Sequence, residues 1–293
     1  MKDFCKKHII IFTLGIILIA LFSNLMTGFL QSFFPEYQVM YYLVEAILKF
    51  SISAVLITLM IKWGYTKKSN KKNIALGFLL STILLLFMAP NLIPFAFVNP
   101  ILYDAKWGII LALLLATLSI GFMEETAMRG TLLPFLCEKW NNKKHFYFKA
   151  ALASSVLFGC MHYTWSVRHL VTTGKLPLDV FLGNSYQVFY CICFGLFAAG
   201  VALYTRNIIG LVFFHGLCDF VACIKYGILP LASIEYYNKQ GLFTLEYALY
   251  QFGITQNLNL IALLINGLMI NLILVIVGVI LIYKAEKKYV KTN

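Results

Sequence analysis

The sequence predicts an all-α fold, a polytopic membrane bundle of about eight transmembrane helices, and three observations carry that expectation. Of 293 residues, 61% are hydrophobic and only 12% are charged, with a mean hydropathy of +0.82. That is too little charge to cover a soluble chain of this length. The apolar residues are gathered into runs of about 20, enough to cross roughly 30 Å of hydrocarbon as a helix. The basic residues fall in alternate connections, the pattern that sets orientation in a bilayer. This composition excludes a soluble two-domain enzyme, a disulfide-rich secreted scaffold, a disordered binder and a nucleic-acid-binding module. The net charge of +12 comes overwhelmingly from lysine, which argues against a phosphate-reading surface of arginine forks and against a nucleic-acid partner.

The apolar runs, in order, are 9–29, 41–63, 74–95, 107–133, 148–163, 181–204, 208–228 and 258–283. The first follows Lys2, Lys6 and Lys7 and has no small-residue cleavage site after it, so it reads as a signal anchor. Within the third, Pro90 and Pro94 predict a break near Pro90. Lysines cluster at Lys62 to Lys72, at Lys139 to Lys149 and at Lys284 to Lys291, and Arg206 joins that set. The intervening connections hold only Lys106, Arg168, Lys175 and Lys239. By the positive-inside rule both termini are cytoplasmic, and the whole chain, 1–293, forms one transmembrane domain. The stretch 229–257 is long and aromatic, and 242–252 reads as a helix lying in the interface. No internal repeat favours an inverted-repeat transporter. The seven cysteines lack any CxxC spacing and read as free, buried, small hydrophobes; Cys160, close to a histidine, is the one with a case for reactivity.

Charged and imidazole groups inside apolar runs cost several kcal/mol unless they are paired or face a cavity. Glu45 and Lys49, at i and i+4, neutralise each other on one helix face, and Lys225 lies close enough to a span end to snorkel. The fourth run differs, because Glu124 and Glu125 sit side by side. On an α-helix Glu125 shares a face with Arg129 and is expected to form a structural ion pair with it, whereas Glu124 points about 100° away and must be met from another span. The groups able to meet it are His162, His215 and Asp219. At ~1.5 Å per residue, Glu124 stands about 22 Å from Lys139, His162 about 20 Å from Lys149, and His215 about 13 Å from Arg206, so all can converge at one level. The motif-bearing core is 107–228.

Glu124-Glu125-x-x-x-Arg129, Phe158-x-x-x-His162 and His215-x-x-x-Asp219, in that order on successive apolar runs, resemble the CPBP family of intramembrane proteases, also called the CAAX protease and bacteriocin-processing (Abi) family. The resemblance covers 124–219 and extends to the count of eight spans. The family's last motif often ends in asparagine where this chain has Asp219. The resemblance implies that Glu124 is the general base, that His162 helps to hold the water, and that His215 with Asp219 stabilises the oxyanion, so that Glu124, Glu125, His162, His215 and Asp219 form the catalytic set.

Peptide hydrolysis needs a water beside a base and donors aimed at the tetrahedral oxyanion. Two versions stay open: a Zn²⁺ ion held by His162, His215 and Glu124, which acidifies its bound water, or a metal-free glutamate base. His-Glu-x-x-His, a rhomboid-like Gly-x-Ser-x-Gly and a presenilin-like Asp pair are all absent. The expected protein is a multi-pass, bacterial plasma-membrane endopeptidase that acts on a membrane-associated peptide or protein, either CAAX-type or bacteriocin-processing. Its rivals are a non-catalytic bacteriocin immunity or binding protein and a proton-coupled transporter that uses the Glu/His groups as a relay.

Overall fold

The computed structural model describes residues 9–34, 39–65, 71–82, 107–227 and 260–289, and among them there is no strand. The helices are Ile9–Gln31 (α1), Val39–Lys62 (α2), 71–82 (α3), Trp107–Glu125 (α4), Leu133–Lys139 (α5), Phe146–Cys160 (α6), Thr164–Thr173 (α7), Leu178–Thr205 (α8), Ile209–Gly227 (α9) and Leu260–Tyr289 (α10). Among the described residues five stretches are long and apolar enough to cross a membrane: Ile11–Gln31, Val39–Lys62, Trp107–Lys139, Val180–Thr205 and Leu268–Tyr289. The chain is an all-α, polytopic membrane protein. Large apolar side chains cover the outside of these helices; on α1, Leu18, Phe22, Leu25 and Phe29 are all more than half exposed. In water such a face would be a liability, and in lipid it is the solvated surface.

Several expectations need correction. The run at 148–163 is not a uniform span: α6 has 15 residues, a 3₁₀ turn at Met161–Tyr163 follows, and α7 continues over Thr164–Thr173, so Arg168 lies in a helix and not in a connection. The fourth run extends past 133, to Lys139, and changes form on the way. Thr126–Leu132 is a π-helix. Pro134 is the physical reason: it has no N–H, and in an α-helix its ring would press on the carbonyl of Gly130 four residues back. Widening the preceding turn relieves both conflicts. The Leu133 amide accordingly bonds to the carbonyl of Met128, five residues back, and the Thr131 hydroxyl donates to that of Thr126 at 2.9 Å. Of the third run, 71–82 is helical, whereas Pro90 and Pro94 lie outside the described residues, as do 229–257, both termini and the side chain of Lys225. Cys160 is exposed and Cys218 half-buried, so those two are not core residues; Cys137, Cys191 and Cys193 are.

Helix α4 lies between α2 and α9, and α8 lies between α6 and α10. Glycines set these crossings. A Cβ on Gly121 of α4 would stand 2.6 Å from the Gly216 amide nitrogen of α9, and one on Gly216 would stand 2.6 Å from the Leu118 Cα. Equivalent contacts join Gly159 of α6 to α8, and Gly200 of α8 to Gly278 of α10. Without a hydrophobic drive between helices in lipid, close backbone approach of this kind is what holds them together. Between the two groups of helices, Phe158, Phe194 and Phe197 join a continuous buried core that includes Met128, Leu132, Leu211 and Phe214.

Candidate active site

Asn207 starts the element that carries the last motif. Arg206 adopts a left-handed conformation (φ 54°) that turns the chain out of α8. The Asn207 side chain then accepts the Ile209 amide at 2.8 Å, an N-cap bond that satisfies one of the helix's orphan donors. Two turns on, His215 faces α4 at the Gly121/Gly216 crossing, which brings α9 close enough for imidazole and carboxylate to meet.

Glu125 is fully buried, and its Oε1 accepts from Arg129 Nη1 at 3.0 Å and from His215 Nδ1 at 2.8 Å. The carboxylate thus fixes the orientation of the ring as well as pairing with the guanidinium. Arg129 lies over the face of Phe158, with Cζ 4.4 Å from the centroid, and 5.8 Å from that of Phe194. Both rings also touch His215. A guanidinium, two phenyl rings and an imidazole therefore form one packed layer on which the site rests.

The other ring nitrogen, His215 Nε2, lies 3.7 Å from Glu124 Oε2 and 3.8 Å from Asp219 Oδ2. His162 Nδ1 donates to the Phe158 carbonyl at 3.1 Å, and its ring packs edge-on against Phe158 at 5.1 Å. With Nδ1 of each imidazole bonded to an acceptor, the neutral form of each ring has its lone pair on Nε2. His162 and Glu124 lie within electrostatic range of each other. The structure therefore places Glu124, His162, His215 and Asp219 together, with Glu125 and Arg129 beneath them. Side-chain exposure grades from 0% for Glu125 through 12% for Glu124 to 30% for Asp219, so the cluster has a closed floor and an open side.

Residues 106–221 match the family model described as type II CAAX prenyl endopeptidase Rce1-like. This segment is an Rce1-like domain. No curated protein and no solved structure matches the chain. The matched segment contains every motif residue named above.

Three neighbours of the site in the Rce1-like domain and beside it carry no motif. Cys191 of α8 lies within electrostatic range of the His162 ring. Phe194, one turn further along α8, packs on His215 with centroids 5.0 Å apart. Lys49 of α2 bonds to Glu45 at 2.7 Å and is also within electrostatic range of Asp219, so the i, i+4 reading covers only part of its surroundings. Among the described residues no three His, Cys, Asp or Glu side chains are grouped so as to hold a metal ion.

Proposed function

We propose that the protein is an intramembrane endopeptidase that hydrolyses a peptide bond of a membrane-associated, CAAX-type substrate, with Glu124 as general base. The observation that supports this reading is the meeting of Glu124, His162, His215 and Asp219 at one open-sided cluster above a buried Glu125.

In the proposed reaction Glu124 takes a proton from a water held by His162 Nε2, and the hydroxide adds to the scissile carbonyl carbon. The carbonyl oxygen becomes an oxyanion. An imidazolium at His215 keeps its Nδ1–H on Glu125 and turns its Nε2–H to that oxyanion. Collapse breaks the C–N bond, and the proton on Glu124 passes to the departing amine. Asp219 serves as a positioning residue for His215, since a free anion beside an oxyanion would oppose the step. The role of Glu125 is to hold the ring, and that of Arg129 is to balance Glu125. A bacterial plasma membrane is the proposed setting.

The test uses purified protein in lipid nanodiscs with two synthetic substrates, a prenylated C-terminal CAAX peptide and a bacteriocin-type precursor peptide, and mass spectrometry of the products. Cleavage of the CAAX peptide by wild-type protein, lost in Glu124→Gln, supports the reading, whereas cleavage of the bacteriocin-type precursor alone overturns its substrate class. Cleavage that persists in Glu124→Gln, or none of either substrate by folded wild-type protein, overturns it.

A further inference from the structure

Two carboxylates converge on one imidazole nitrogen: Glu124 Oε2 lies 3.7 Å and Asp219 Oδ2 3.8 Å from His215 Nε2. Like charges gathered in a partly buried site repel, and Arg129 is already bonded to Glu125. A further cation comes from α2, outside the matched segment 106–221. Lys49 belongs to a buried stripe of that helix, Tyr42, Ala46, Lys49, Ser53, Leu56 and Met60, whose spacing by threes and fours marks one helix face. Tyr42 shares a cluster with Ala112, Leu113 and Ala116 of α4, and Phe220 of α9, the residue after Asp219, packs against the same cluster. Two turns further along α2, Phe50 meets Phe122 of α4 with ring centroids 5.7 Å apart. The neighbouring Lys49 therefore stands beside the turn that leads into Glu124, and its ammonium is within electrostatic range of Asp219.

The ion pair with Glu45 does not by itself account for a buried lysine. Replacing such a pair by apolar side chains is commonly neutral or stabilising, because both charges must be taken out of water. The pair is also unevenly placed. The Lys49 side chain is 5% exposed and that of Glu45 17%. Lys49 Nζ bonds Glu45 Oε1 at 2.7 Å, while the other oxygen, Oε2, accepts from Gln31 of α1 at 3.4 Å. Glu45 is thus anchored towards α1, and the pair is a dipole whose positive end acts on Asp219.

We propose that Lys49 is a positioning residue of the Glu124 centre that acts through Asp219. Its ammonium compensates the Asp219 carboxylate, so that Asp219 orients His215 and the imidazolium is left to stabilise the oxyanion. The catalytic consequence rests on the peptidase reading; the pairing of Lys49 with Asp219 does not.

The experiment uses full-length protein in nanodiscs and two readouts, thermal unfolding and cleavage of the prenylated CAAX peptide. Lys49→Met alone strands Glu45, so it is made together with Glu45→Gln, and Glu45→Gln alone is the control. Both are built in wild-type and in Asp219→Asn protein. With Asp219 present, Glu45→Gln should keep kcat within about 3-fold, the margin of an uncoupled change. Adding Lys49→Met should then lower kcat at least about 10-fold at similar KM, the scale of one lost charge interaction in a partly buried site. In Asp219→Asn protein the same addition should cost less than about 3-fold, because no carboxylate is left to compensate. The fall in Tm on adding Lys49→Met should likewise be at least about 3 °C larger with Asp219 than in Asp219→Asn protein. A Lys49 that only supports the fold would cost the same in both. Equal losses of kcat, or equal falls in Tm, overturn the pairing. Folded wild-type protein that cleaves no peptide overturns the peptidase reading instead, and the Tm comparison then decides the pairing alone.

Discussion

One oxygen atom has an unusual share of the chemistry. Glu125 Oε1 accepts from both Arg129 and His215, so replacing Glu125 removes a charge partner and releases the His215 ring in the same step. Glu125→Gln and Arg129→Ala are each expected to lower folded yield, at a cost of about 3 to 5 kcal/mol for an unpaired buried charge, read by size-exclusion chromatography of a fluorescent fusion. Glu124→Gln should keep near-normal yield and lose cleavage; a yield that depends on Glu124 and not on Glu125 would exchange their roles. A second residue-scale expectation concerns Asp219. With Glu124 as base and no metal, Asp219→Asn should retain activity within about 10-fold, since an amide still orients His215 and adds no negative charge beside the oxyanion. Elemental analysis of the same preparations should give zinc well below one per chain and unrelated to activity. Stoichiometric zinc that disappears with Asp219→Asn would defeat the metal-free mechanism.

At the scale of elements, the site depends on how closely helices approach. Both α4 and α9 present backbone to each other at Gly121 and Gly216, and the nearest atom to an added Cβ on either side is backbone, which cannot swing away. Gly121→Ala or Gly216→Ala should push the two helices apart, loosen the 2.8 Å contact between His215 and Glu125, and reduce cleavage at least about 10-fold while lowering thermal stability by about 1 to 3 kcal/mol. A fully active Gly216→Ala protein would show that the crossing does not set the site. The π-segment makes a related demand. Deleting Ala127 should return the turn towards α-helical spacing, rotate Arg129 by about 100° relative to Glu125, and abolish folding or activity.

Elements also show where sequence reasoning works and where it stops. The glutamate pair, the two histidines and Asp219 were legible because spacing along a chain translates directly into helix faces, and because charge inside an apolar run is conspicuous. Span 107–133 was legible as a helix, but its π-turn was not, since the conflict at Pro134 is resolved by a local rewinding that no periodicity records. The 3₁₀ turn under His162 was hidden for the same reason. Cys191, Phe194 and Lys49 reach the site only through space, from helices whose rotation about their own axes the apolar runs do not define.

For the molecule as a whole, the distribution of lysine predicts sidedness. The connection at 140–145, next to Lys139, Lys143 and Lys144, should be cytoplasmic, and that at 174–177, with Lys175, external. An epitope inserted after Asn141 should be protected in intact cells, and one inserted after Lys175 should be accessible to antibody. Both on the same side would require a different number of crossings between them.

The glycine contact between α8 and α10 has a consequence for how the molecule is put together. Gly200 meets the Gly278 carbonyl, Tyr289 donates to the Tyr204 carbonyl at 3.1 Å, and Arg206 stacks on the Tyr289 ring at 3.6 Å. Recognition of α10 by α8 is thus written into a small set of surface features along one face, and helices in a bilayer insert independently before they associate. The last helix is therefore a detachable part. Co-expressed as a separate membrane peptide with the chain ending before it, α10 should find its seat and restore the protein, and it should fail to do so when Gly278 carries a bulky side chain.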